Sequence, residues 1–221
     1  MTSFSSVSWA LAGATVVSGA LATAGAARGA RHLVHVFKPL ATALLVALVL
    51  LAPAPPSERY RLLLAGGLLF SLAGDVFLML PEERFLAGLG SFLAAHVLYA
   101  AAFLGTEGAA ARLAPALGAY LLVAALLVRW LWAGVPPRLR GPVAVYAAAL
   151  STMAASALAR ALTTGGSGAW AAATGALVFV ASDALLAADR FRGPIRHARP
   201  AVLGTYYAAQ LAIALSATLP S

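Results

Sequence analysis

The run from Leu62 to Leu80, LLLAGGLLFSLAGDVFLML, constrains the fold more than any other stretch. At about 1.5 Å of rise per residue a helix of this length crosses the hydrocarbon core of a bilayer. It contains a single ionisable side chain, Asp75. A second run of similar length, Trp170 to Ala188, repeats the arrangement with Asp183 as its only acid. An ionised group at membrane depth costs roughly 2.5–3.5 kcal/mol even on lenient insertion scales, so each carboxylate is a functional candidate by default.

The rest of the chain has the same character. Hydrophobic residues make up 62% of the 221 and charged residues 10%, where a soluble domain has roughly half and a quarter. Apolar runs separated by Pro, Gly and charge clusters fall at about 7–27, 33–51, 60–80, 85–104, 113–133, 141–162, 170–189 and 200–219. The expected fold is an all-α polytopic membrane bundle of eight transmembrane helices, a single transmembrane domain over residues 1–221 with no extramembrane domain. The first run has no basic residue ahead of it and is followed at once by Arg28 and Arg31, so it reads as a retained helix and not a signal peptide. There is no cysteine, which excludes disulfides and thiol chemistry. The formal net charge of +8 sits in short loops, where it sets topology or meets anionic lipid and does not point to nucleic acid.

Eight spans put both termini on one side. The first, third, fifth and seventh loops hold Arg28, Arg31, Lys38, Arg84, Arg129, Arg138, Arg140, Arg190, Arg192, Arg196 and Arg199, against Arg59, Arg61, Arg112 and Arg160 on the other face. The positive-inside rule then places the termini away from the cytoplasm. Asp75 and Asp183 come out at a shared depth, about one and a half turns from the cytoplasmic ends of their helices. Lys38, His96, Tyr99, Tyr206, Tyr207 and Gln210 fall in the same half of the membrane, with Lys38-Pro39 read as a helix start.

A faint internal repeat supports this grouping. Phe70, Asp75 and Leu78 echo Phe179, Asp183 and Leu186; Arg84-Phe85 echoes Arg190-Phe191; Lys38-Pro39 echoes Gly141-Pro142; and Phe92-Leu-Ala-Ala-His96 echoes Tyr206-Tyr-Ala-Ala-Gln210. The echoes point to two parallel four-helix halves with the acids facing each other across a pseudo-two-fold axis.

Two carboxylates in a dry cleft suit general acid and base work, because low dielectric and mutual repulsion favour one protonated and one ionised partner. The plainer alternative is that each acid pairs with a base such as Lys38 and fastens helices. Lys38 itself either binds a phosphate or snorkels to the surface. His96, Tyr99, Tyr206, Tyr207 and Gln210 are of the types that orient water or a polar head group, while a lone intramembrane histidine is more often a packing residue. His32, His35 and His197 lie in or near loops, so a three-histidine zinc site has no source; no metal or other cofactor is expected. No Gly-x-Ser-x-Gly elbow is present, and Ser71 and Ser182 have no histidine base at their depth. Arg190 to Arg199 reads as a topology determinant or an anionic-lipid contact. Glu58, Glu82, Glu83 and Glu107 read as loop acids.

Five motifs occur in order: Lys38-Pro39-Leu40; Gly74-Asp75-x-x-Leu78; Phe85-x-x-Gly88-x-x-Ser91-Phe92-x-x-x-His96-x-x-Tyr99; Gly175-Ala-x-x-Phe179-x-x-Ser182-Asp183-x-x-Leu186; and Tyr206-Tyr207-x-x-Gln210. Together they resemble the YhhN family of eight-helix membrane proteins, whose animal members are lysoplasmalogenases. The resemblance implies hydrolysis of the vinyl ether bond of a lysoplasmalogen, or of a related ether lysolipid, to a fatty aldehyde and a glycerophospho-alcohol. Asp75 and Asp183 are then the catalytic pair, in the two-carboxylate logic of glycosidases. Lys38, His96, Tyr99, Tyr206, Tyr207 and Gln210 line the substrate cleft, and the partners are a lysophospholipid substrate and the surrounding membrane lipids. The alternative from another class is a proton-coupled transporter or lipid-binding protein, in which paired acids carry protons.

Overall fold

The computed structural model describes residues 5–80, 84–105 and 108–220. Among them are eight long helices and no strand: α1 (Ser6–Arg28), α2 (Arg31–Leu50), α3 (Glu58–Met79), α4 (Phe85–Leu104), α5 (Ala109–Leu131), α6 (Pro137–Thr164), α7 (Ser167–Phe191) and α8 (Ala198–Leu215), with a 3-10 turn over Trp132–Gly134. Every apolar run became a helix, with ends displaced by at most four residues. Glu82, Glu83 and Glu107 lie outside the described residues.

Local chemistry sets several ends. Ser5 and Ser57 each accept a hydrogen bond from the amide three residues on, capping α1 and α3, and Gly29 and Gly165 close α1 and α6 in the left-handed conformation. One expectation is corrected here. Pro39 does not open a helix: α2 begins at Arg31, so Pro39 is interior and Lys38 sits nearly two turns in. An interior proline is tolerated in a membrane bundle where neighbouring groups satisfy the freed backbone. The acids differ in their distance from the ends of their helices, with four residues of helix beyond Asp75 and eight beyond Asp183.

Seven of the helices have the length and apolarity of membrane spans. The eighth is more polar, carrying Arg199, Tyr206, Tyr207 and Gln210, yet it runs alongside α7 for its whole length. Ser182 of α7 donates to the carbonyl of Val202 at one end, and the Gly168 amide donates to Pro220 at the other. The chain is a multi-pass membrane protein.

Consecutive helices pack antiparallel, except α4 and α5. In α3 and α4, an ideal Cβ on Gly67 would lie 2.3 Å from the Tyr99 ring and one on Gly74 2.7 Å from the Phe92 ring, so only glycine permits this approach. Adjacency repeats with a shift of four helices: α1 with α2 as α5 with α6, α2 with α3 as α6 with α7, α3 with α4 as α7 with α8, and α4 with α6 as α8 with α2. One extensive contact breaks the pattern. Helix α1 packs along α8, whereas among the described residues α5 makes no comparable contact with α4.

Candidate active site

Asp75 is 1% exposed and fully engaged. Lys38 Nζ of α2 lies 3.1 Å from its Oδ1. Its Oδ2 accepts from Thr42 Oγ1, one turn further along α2, at 3.0 Å and from the Tyr206 hydroxyl of α8 at 2.9 Å. Behind Tyr206 the donors line up in one direction. The Tyr99 hydroxyl donates to Gln210 Oε1 at 2.9 Å, and Gln210 Nε2 donates to the Tyr206 oxygen at 3.2 Å. This chain leaves Tyr206 only the carboxylate to which to give its proton.

Asp183 has a different setting. Its Oδ2 accepts from the Tyr146 hydroxyl of α6 at 2.5 Å, and His96 Nε2 of α4 stands 2.9 Å from the Tyr146 oxygen and 3.8 Å from Oδ2. Because Tyr146 has already committed its proton to Asp183, Nε2 of His96 must be the donor in its contact with Tyr146. Nδ1 is buried without a hydrogen-bond partner. No lysine or arginine among the described residues lies within ion-pair distance of Asp183. The two acids therefore receive their partners from repeat-related helices: α2 and α8 serve Asp75, while α6 and α4 serve Asp183.

Both acids open into one cavity of about 200 Å³, together with Lys38, Tyr146 and Tyr206. Its remaining wall is almost wholly apolar, with Phe85, Leu89 and Phe92 of α4 on one side and Tyr120 to Leu131 of α5 on the other. The cavity occupies the space where α5 stands away from α4. Arg190 also lines it, its guanidinium 3.8 Å from the centre of the Phe85 ring.

The cleft residues read from sequence divide into two groups. Lys38 and Tyr206 reach the cavity, while His96, Tyr99, Tyr207 and Gln210 do not line it. His96, Tyr99 and Gln210 act behind the acids through hydrogen bonds, and Tyr207 donates to the Lys38 carbonyl at 3.3 Å. Tyr146 and Thr42 were not anticipated. Thr42 follows Lys38 at the spacing that puts two side chains on one helix face, which is a usable signal.

The YhhN family matches residues 33–217. The lysoplasmalogenase TMEM86B of Sus scrofa is 42% identical over 161 residues, 71% of this chain and 64% of the relative. The lysoplasmalogenase TMEM86B of Homo sapiens is 40% identical over 165 residues, 73% and 66%. A lysoplasmalogenase of Mycobacterium bovis is 38% identical over 153 residues, 66% and 56%. The matched stretch thus spans just under two thirds of the length of the two mammalian relatives and a little over half of the mycobacterial one. No solved structure matches. With the family matched over helices α2 to α8, the chain belongs to the YhhN family.

Proposed function

We propose that this protein hydrolyses the vinyl ether bond of a lysoplasmalogen or a related ether lysolipid, with Asp183 as proton donor and Asp75 as the carboxylate that directs water. The observation that carries this reading is the inequality of two acids sharing one apolar cavity. Asp75 holds an ammonium and two hydroxyl donors, each of which favours the carboxylate against the cost of its burial. Asp183 accepts one hydrogen bond, from the Tyr146 hydroxyl, and its second oxygen accepts none from the described residues.

The chemistry balances on these residues. Asp183 gives its proton to the enol ether carbon remote from oxygen, leaving an oxocarbenium ion and a carboxylate. The nearby anions stabilise that cation in a medium that screens them little. Water adds to the cationic carbon, and Asp75 takes one of its protons. The hemiacetal then collapses: its hydroxyl proton returns to Asp183, the carbonyl forms, the bond to the glycerol oxygen breaks, and that oxygen takes the proton held by Asp75. Both acids finish as they began.

The cavity suits an amphiphile. The alkenyl chain lies between α4 and α5 against Leu89, Leu127 and Leu150, open sideways to lipid. The glycerophosphate extends towards Arg190, about 10 Å beyond Asp183 along α7. That end of the bundle carries most of the basic loop residues, so the active site falls in the cytoplasmic half, with the termini on the other side of the cell membrane.

The test is mass spectrometry of purified protein in detergent, incubated with lysoplasmalogen and with an ester lysolipid. Aldehyde released from the vinyl ether alone, by wild type and not by Asp75→Asn or Asp183→Asn, is the expected result. Folded wild type that releases no aldehyde from any ether lysolipid overturns the reading.

A further inference from the structure

At the end of the bundle remote from the acids lies a second cavity, of about 260 Å³. Tyr60, which lines it, is some 22 Å from Asp75 along α3. The sequence places Arg160 in the basic count of that face, as though it were a loop residue. In the structure it lies within α6, 1% exposed, and is among the largest fully buried side chains of the protein.

The surroundings of Arg160 do not neutralise it. Nη1 donates to the Tyr60 hydroxyl at 3.3 Å, and the guanidinium carbon stands 4.7 Å from the centre of the same ring. The Tyr60 hydroxyl is in turn 2.6 Å from Ser216 Oγ. Nε is buried with no hydrogen-bond partner. Among the described residues no carboxylate lies within ion-pair distance. A cation taken out of water without a counter-charge is among the costliest arrangements a fold can hold, and one aromatic face recovers only a small part of that cost.

The wall around Arg160 favours an anion. The first turn of α3 borders the cavity through Ser57, Arg59 and Tyr60, bringing the positive end of a long helix to the space that the guanidinium lines. Arg59 is exposed and adds a second cation, and Thr164 adds a hydroxyl.

We propose that this cavity binds a phosphate group, held by the Arg160 fork, the first turn of α3 and Arg59. A planar guanidinium and a run of backbone amides are the two protein groups best matched to phosphate oxygens. The phosphate is carried either by a free anion or by the head group of a lipid in the leaflet opposite the catalytic acids. The site is separate from the hydrolytic one, so its test does not depend on turnover.

The experiment is thermal unfolding of the purified protein in phosphate-free buffer. It is titrated with sodium phosphate, with sodium chloride at matched ionic strength, and with a short-chain phosphatidylglycerol dispersed in the same detergent. Wild type is expected to show a saturable rise of roughly 5–10 °C at a hundredfold excess over Kd with phosphate or with the lipid, and none with chloride. A response to phosphate alone assigns a soluble anion, and a response to the lipid alone assigns a head group. Arg160→Lys should raise the half-saturating concentration about tenfold or more, because it keeps the charge but loses the fork. Arg59→Ala, an exposed change that leaves the fold intact, should weaken binding about threefold to fivefold. No saturable response to either ligand in wild type overturns the proposal, as does an equal response in wild type, Arg160→Lys and Arg59→Ala.

Discussion

Tyr146 donates a hydrogen bond of 2.5 Å to Asp183, from a helix that otherwise presents Val143, Ala147, Leu150 and Ser151 to the cavity. Its oxygen accepts from His96 in turn, so one hydroxyl joins α4, α6 and α7 at a single point. The contact fixes which carboxylate oxygen of Asp183 is occupied.

Replacing Tyr146 by Phe removes that donor while keeping the ring that packs against His96. A hydrogen bond to a charged group contributes about 1.5–3 kcal/mol, so kcat for the vinyl ether should fall roughly 10- to 100-fold with KM little changed. Steady-state aldehyde release measures both constants. An unchanged kcat would separate Tyr146 from the reaction and leave it a packing residue.

The ion pair between Lys38 and Asp75 predicts a non-additive result in thermal unfolding. Asp75→Asn leaves the ammonium, 12% exposed, without its partner, and the loss should be on the order of 3 kcal/mol. Adding Lys38→Met should recover most of this loss without restoring turnover, because the second change removes the stranded charge and not the missing base. If the double variant unfolds no later than Asp75→Asn, the pair is not coupled.

The sequence discloses this site in proportion to how unusual each residue is for its surroundings. A carboxylate in an apolar span stands out, which is why Asp75 and Asp183 were legible, and a lysine two turns into a helix nearly so. Tyr146 was not, since a tyrosine among alanines looks the same whether it faces lipid, a neighbouring ring or an acid. Arg160 was counted with the loops because it lies four residues from a helix end, and only the fold shows that neighbours cover it. The wall of the cavity was unreadable for the opposite reason: the middle of α5, from Leu113 to Val128, has no charged residue to mark which side turns inward.

Gly67→Ala tests the α3 and α4 contact that holds Tyr99. The added carbon would meet the Tyr99 ring at 2.3 Å, and the ring cannot retreat without disturbing its bond to Gln210. Overpacking of this kind costs about 1–3 kcal/mol, seen as a lower unfolding midpoint, whereas Gly118→Ala meets nothing within 4 Å and should be neutral. Equal midpoints for the two variants would mean that α3 and α4 are not in contact at this depth.

The parting of α4 and α5 makes the last prediction, because it assigns the hydrocarbon chain to one side of the protein. The repeat-related space on the other side is closed by α1 packing on α8, so the opening belongs to the second half alone. Ala124 of α5 faces the cavity, and Ala124→Trp narrows the path between α4 and α5. A long-chain substrate should then bind more weakly, its KM rising about tenfold, while a short-chain vinyl ether that ends before the blockage keeps wild-type constants. Chain-length series for the two proteins give the answer directly. A uniform loss across all chain lengths would instead mean that the tryptophan has disturbed the acids, and no loss at all would place the chain elsewhere in the bundle.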